Sequence, residues 1–161
     1  MDVTELADKL AVAETVYRYA RGVDRRDWYA YRAIFTERVT VDFSGYDPNR
    51  APVEMAIDDW IAQIRPQFEG LHATQHLMTN PLAEVDGDRA AITMSVRAHH
   101  VFEPGVDDSW FTIGGFYENE LVRSANAWLL TRVKLTVTWR MGRPEIMDAA
   151  RIAGLKANRP S

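Results

Sequence analysis

The amino-acid sequence predicts an α+β domain in which helices cover one face of a curved antiparallel sheet. Three observations carry that prediction. Up to about Pro66 the apolar residues recur mainly at helical spacing. From residue 71 onward, four long segments rich in Val, Ile, Thr and aromatics follow. Short turn signals join those segments, so neighbours in sequence are expected to be antiparallel neighbours in space. Helices followed by a run of strands describe a layered domain with room for a pocket between the layers.

The elements follow in order. Asp2 and Glu5 have capping-box spacing, and Leu6, Leu10, Ala13, Tyr17 and Ala20 continue as the stripe of an amphipathic first helix, weakened at Gly22. Asp27 caps a short second helix with Trp28, Tyr31 and Phe35 as its buried stripe. The stretch ERVTVDFSGY alternates as a strand does and stops at Gly45 and Pro48. A third helix is expected from Pro52 to Ile64, with Met55, Ile57, Trp60, Ile61 and Ile64 as its apolar face and Pro66 as its end. Strands are then expected over roughly 71–85, 89–103, 109–123 and 127–140, the first two joined by a tight turn at Asp86-Gly87. From Pro144 the tail adds one short helix and a polar end. No internal repeat or linker interrupts the chain, and residues 1–161 are read as a single domain.

Composition narrows the function. The 19 basic and 23 acidic residues give a formal charge of -4, without the basic stripe that a phosphate backbone needs, so nucleic acid is not expected as a partner. With no cysteine, a thiolate metal site and a cysteine nucleophile are excluded. The start MDVTELADKL lacks the basic and apolar regions of a signal peptide, and no apolar run reaches the length of a membrane span. A cytoplasmic protein without membrane contact is the expectation. Phosphate loops and the GxSxG elbow are missing as well.

Chemistry concentrates in a few places. One step beyond Ala20 on the first helix lies Asp24, a carboxylate directed inward that burial would penalise without a partner; Arg25, Arg26 and Asp27 turn away from that face. On the first long strand, His72, Thr74, His76, Met78 and Asn80 share one side by period two, a polar face in an apolar setting such as a lined cavity presents. His76 is therefore the candidate partner of Asp24: a carboxylate on one ring nitrogen fixes the tautomer and leaves the other nitrogen free as a base. The plainer readings are a helix-ending aspartate and a hydrogen-bonded wall histidine. His100 is the inward member of the His99-His100 pair, as a satisfied core histidine or as a substrate contact. A metal is not expected, because His72 and His76 would lie ~13 Å apart along a strand. Tyr19, Tyr29, Tyr46, Trp110, Phe116 and Tyr117 are the aromatics available to line a pocket, and Gly114-Gly115 in mid-strand permits a bulge or a close ligand approach.

The combination GVDRRDW, HATQHLMTN, VDGDRA and GGFYENELVR, with Trp128 beyond, resembles the SnoaL-like branch of the NTF2-like superfamily over roughly residues 5–140. The likeness is to the members that include scytalone dehydratase and the hexachlorocyclohexane dehydrochlorinase. The resemblance implies a cone of sheet with three N-terminal helices around a pocket. It implies that Asp24 and His76 form a dyad in which His76 removes a carbon-bound proton, and that His100 stands near the position of an assisting second histidine. The tyrosines that activate the carbonyl in scytalone dehydratase have no secure counterparts here.

The expected function is a cofactor-independent lyase or isomerase acting on a small hydrophobic cyclic or polyketide-like molecule. Asp24 and His76 are its catalytic pair, and His100, Tyr19, Tyr29, Tyr46, Met78 and Trp110 are its substrate contacts. A homo-oligomer, dimer or trimer, is expected through the convex sheet face, where Leu121, Leu129 and Val137 would lie if directed outward. The alternative is a ligand-binding or scaffold protein of the same fold without catalysis, including one like a dioxygenase small subunit.

Overall fold

The computed structural model describes residues 2–157. Its elements are α1 (Val3–Arg25), α2 (Trp28–Arg32), β1 (Phe35–Gly45), β2 (Val53–Ala56), α3 (Ile57–Gly70), β3 (Ala73–Asp86), β4 (Arg89–Val101), β5 (Trp110–Ser124), β6 (Ala127–Gly142) and α4 (Glu145–Ala157). The six strands form one curved sheet in the order β2-β1-β6-β5-β4-β3. The four long strands pair antiparallel with their sequence neighbours, as the turn signals indicate. The sheet is nevertheless mixed, because β1 runs parallel to β6. Chain that passes through β2, α3 and three further strands before β6 returns is long enough for a parallel pairing that no local turn signal marks.

Asp2 caps α1 by accepting the Glu5 backbone N–H at 2.8 Å, and Asp27 caps α2 through the Ala30 N–H at 2.9 Å. Phe35 begins β1 rather than closing the α2 stripe. The expected helix start at Pro52 is corrected: residues 53–56 form an edge strand against β1, with Met55 opposite Val39, and the helix begins at Ile57. Pro66 does not end α3, which runs four residues further to Gly70 with the proline inside. What carries it past Pro66 is α4, packed so closely that a Cβ on Gly70 would sit 1.8 Å from the Ala150 carbonyl oxygen and one on Gly154 would sit 1.9 Å from that of Pro66. Among the described residues there are four helices, α1, α2 and α3 before the long strands and α4 in the tail where a short helix was expected, and the polar end 158–161 lies outside the described residues.

The core fills the space between α1 and the inner sheet face: Val12, Val16 and Val23 meet Met94, Leu121, Leu130 and Val133, each nearly or fully buried. Leu121 therefore belongs to the core and not to the convex face, while Leu129 and Val137 are half-buried. The α1 stripe is rotated from the expected one: Leu6, Leu10 and Tyr17 are exposed. At Gly114-Gly115 the β5/β6 register slips, as expected of a bulge; the close approach there is the Trp139 ring, 1.9 Å from where a Gly114 Cβ would stand. No helix among the described residues is long and apolar enough to cross a membrane.

Candidate active site

The end of α1 positions the acid. Arg26 takes the left-handed conformation (φ 57°), its N–H bonding the Val23 carbonyl and that of Asp27 bonding Gly22, a Schellman closure in which glycine is the usual residue. A non-glycine residue there costs roughly 1 kcal/mol. The guanidinium offsets that cost by folding back: Nη1 donates to the Val23 and Asp24 carbonyls (3.1 and 2.9 Å) and to Thr74 Oγ1 (2.7 Å), and Nη2 to the Leu71 carbonyl (3.4 Å). Arg26 thus turns inward under Asp24, not away as helical spacing alone implied, because the helix has ended before it.

Asp24 and His76 meet. Asp24 Oδ1 lies 2.7 Å from His76 Nδ1, Oδ2 accepts the His76 backbone N–H at 2.8 Å, and Thr74 Oγ1 donates to Oδ1 at 2.9 Å. The side chains are 21% and 6% exposed. Burial would raise the Asp24 carboxyl, but the His76 ring and backbone hydrogen bonds, the attraction of the ring and the Thr74 hydroxyl outweigh it and hold the carboxyl below its ordinary value. An ionised carboxylate on Nδ1 requires a proton there, so Nε2 carries the lone pair.

His76 opens on a cavity of about 620 Å³ between α1, α3, α4 and the inner sheet face. His100 stands beside it, the two rings edge to face with centroids 5.7 Å apart, and Phe68 packs on both at 6.1 and 6.2 Å. His100 Nδ1 is 3.1 Å from the Phe111 carbonyl, which only accepts, so Nδ1 bears the hydrogen and Nε2 is an acceptor. Burial, with the nearby His76 second, pushes the His100 imidazolium down to about 4. Elsewhere the wall carries two buried phenols, Tyr19 and Tyr117, with hydroxyls 3.4 Å apart. Tyr31 backs Tyr19 and accepts the Trp60 indole N–H at 3.1 Å. Burial raises all three phenols, which keeps them protonated as hydrogen-bond donors.

Of the residues singled out from sequence, Asp24 and His76 are in contact, and His76, His100, Tyr19, Tyr46 and Tyr117 border the cavity. The others are corrected. His72 lies before β3 and is exposed, and Asn80 is exposed at a bulge with φ 55°. Met78 is buried toward a shallow groove between α1 and β3 instead of the cavity. Tyr29 is 88% exposed on the outer side of α2, where a five-residue helix buries only Tyr31. Trp110 packs with its ring tilted against His99 at 5.7 Å, on the opposite sheet face from His100, and Phe116 is half-buried away from the cavity. Missed residues include Phe68, hidden by the helix end expected at Pro66, and Met147 and Arg151, on a tail helix to which no role was given. Trp60 and Ile64 were visible as a helical face, though not as wall. Among the described residues no group of three or more His, Asp or Glu side chains is placed to hold a metal ion.

Helices laid into a curved mixed sheet, with a cavity where they meet, define an NTF2-like protein. Within that class the chain belongs to the SnoaL-like domain family, which matches residues 4–134. A solved structure from Kribbella flavida is similar over 90% of this chain and 97% of its own at 31% identity, with a TM-score of 0.80. A Novosphingobium aromaticivorans protein provisionally named a scytalone dehydratase aligns over 89% of this chain and 92% of its own (19% identity, TM-score 0.77). The type 3 hexachlorocyclohexane dehydrochlorinase of Novosphingobium barchaimii aligns over 89% and 95% (16% identity, TM-score 0.71). These last two share the fold. A comparison with curated protein sequences found no match.

Proposed function

We propose that the protein is a lyase or isomerase that needs no cofactor and removes a carbon-bound proton from a small, largely apolar cyclic or polyketide-like substrate. The single observation that supports it most is the 2.7 Å contact of Asp24 with His76 Nδ1 at the edge of a partly enclosed, mostly apolar cavity. With Nδ1–H held by the carboxylate, His76 Nε2 is the base, and Asp24 stabilises the imidazolium that forms. Thr74, itself held by Arg26, keeps the carboxylate in place.

A proton leaves carbon readily only if the electron pair has somewhere to go. The Tyr19 and Tyr117 hydroxyls are the donors available to a carbonyl oxygen at which that charge develops. Neutral His100 offers Nε2 as an acceptor, which suits a substrate hydroxyl and makes it a poor proton donor. In an elimination, the proton needed by a departing hydroxyl is therefore assigned to the His76 imidazolium, which has just received one. The scytalone dehydratase and dehydrochlorinase names among the structural relatives favour elimination as the reaction class.

The test is deuterium wash-in from D2O at the carbon next to the carbonyl of small cyclic ketones and hydroxyketones, followed by mass spectrometry. Wild-type protein is expected to exchange at least one member of such a panel, and His76→Ala to lose about 10²–10⁴-fold of that rate. Exchange unchanged in a folded His76→Ala protein rejects the assignment. Tight binding of the panel without exchange or conversion would favour a non-catalytic binding protein.

A further inference from the structure

The interior of the cavity is apolar and aromatic, lined by Trp60, Phe68, Phe111, Ile113 and Leu135, yet its mouth is charged. Three arginines stand there from three separate elements: Arg50 in the β1–β2 loop, Arg140 near the end of β6 and Arg151 in α4, all exposed. Two of them lie on aromatic walls of the same cavity. The Arg140 guanidinium is 4.9 Å from the Tyr46 ring centroid and donates to the Tyr46 carbonyl, and that of Arg50 is 5.8 Å from the Trp60 ring. Stacking on a ring face orients a guanidinium and leaves edge N–H groups free to take an oxyanion in a forked geometry.

Asp47, Glu145 and Asp148 share the mouth, so total charge does not decide what binds. Pairing does. Among the described residues none of the three guanidinium groups has a carboxylate within 4.0 Å. The acids have local roles: Asp47 accepts the Asn49 backbone and side-chain N–H groups at 3.0 and 3.3 Å, and Glu145 and Asp148 occupy the first turn of α4, where a helix favours negative charge.

We propose that the cavity takes an amphipathic anion, with its apolar body inside and a carboxylate or similar oxyanion held at the mouth by Arg50, Arg140 and Arg151. This rests on the cavity being the substrate site and adds the substrate's chemical class. An anionic end anchored at the mouth also sets how deep the molecule reaches, and so which carbon faces His76 and which oxygen faces the tyrosine pair.

Two fluorescent probes of nearly the same body test it: 1-anilinonaphthalene-8-sulfonate, an anion, and uncharged N-phenyl-1-naphthylamine. On the intact protein at low salt the sulfonate is expected to bind about ten-fold or more tightly than the neutral probe, the gap narrowing as salt is added. The R50Q/R140Q/R151Q variant is expected to close the gap while the neutral probe's Kd stays within about two-fold. Near-ultraviolet circular dichroism checks that its packing is native. Equal binding of the two probes, binding of neither, or a gap that survives the triple variant overturns the proposal. His76→Ala should keep the anion preference, so loss of proton abstraction and loss of anion binding are read separately.

Discussion

Replacing His100 with asparagine should flatten the acid limb of the stability curve. His100 is 3% exposed, and burial brings its imidazolium from the ordinary 6.5 to about 4 in the folded chain. Between those values the unfolded chain binds a proton that the folded chain refuses, so stability rises with pH there and is lost as pH falls from about 6.5 to about 4. At about 1.4 kcal/mol for each tenfold, the full loss is about 3 kcal/mol, complete near the lower value. Asparagine does not titrate and can still donate to the Phe111 carbonyl, so its curve should lack this slope even if its overall level is lower. Asp24 acts in a different window: its carboxyl is held below 3.8, so its contribution is present above that value and fades only as pH falls below it. The measurement is urea unfolding of both proteins from pH 4 to 8, with the two curves subtracted so that groups common to both cancel. Parallel curves would show that His100 takes up a proton as readily in the fold as in the unfolded chain, and with its lowered basicity would go the argument that His100 is a poor proton donor and that only the His76 imidazolium can return a proton.

Asp24→Asn should keep the fold, yet lower proton-exchange turnover by about 10²–10⁴-fold, because an amide no longer stabilises the imidazolium; turnover near wild type would remove Asp24 from the mechanism. Arg26→Gly should leave the melting temperature nearly unchanged, since glycine relieves the φ 57° strain while the guanidinium bonds are lost. Turnover should still fall about ten-fold or more as Thr74 and Asp24 loosen, and a fall in stability without a fall in turnover would make Arg26 structural only. Gly154→Ala should destabilise by about 1–3 kcal/mol in thermal melts, since its Cβ would meet the Pro66 carbonyl oxygen; an unchanged melt would mean that α3 and α4 separate freely.

Parts of this site were legible in the sequence because their geometry is local. Period two along β3 places Thr74 and His76 on one side, and period two along β4 separates His99 from His100, whatever the rest of the chain does. The contact of Asp24 with His76 spans 52 residues and is not local, and it came from the need of an inward carboxylate for a partner. What stayed hidden depended on tertiary contacts: α3 continuing past a proline with α4 lying against it, and the parallel β1/β6 pairing.

On the first helix, the candidate carboxylate Asp24 continues a stripe that is not the buried one. It carries two apolar stripes, and spacing alone does not say which is the core: Val12, Val16, Tyr19 and Val23 are buried, whereas Leu10 and Tyr17 are exposed. Asp24 continues the second stripe from Tyr17, and both border the groove beside β3. That stripe marks the seam between α1 and the edge strand, so Asp24 sits at the boundary of the core and not within it. A seam position explains how the carboxylate stays ionised while it grips a nearly buried imidazole: one side retains contact with solvent, and the other receives the Thr74 hydroxyl, the His76 N–H and the ring. At a fully enclosed position, burial would work harder against the ionised carboxylate and draw the ring proton toward it, weakening the polarisation on which the proposed role of Nε2 as a base rests.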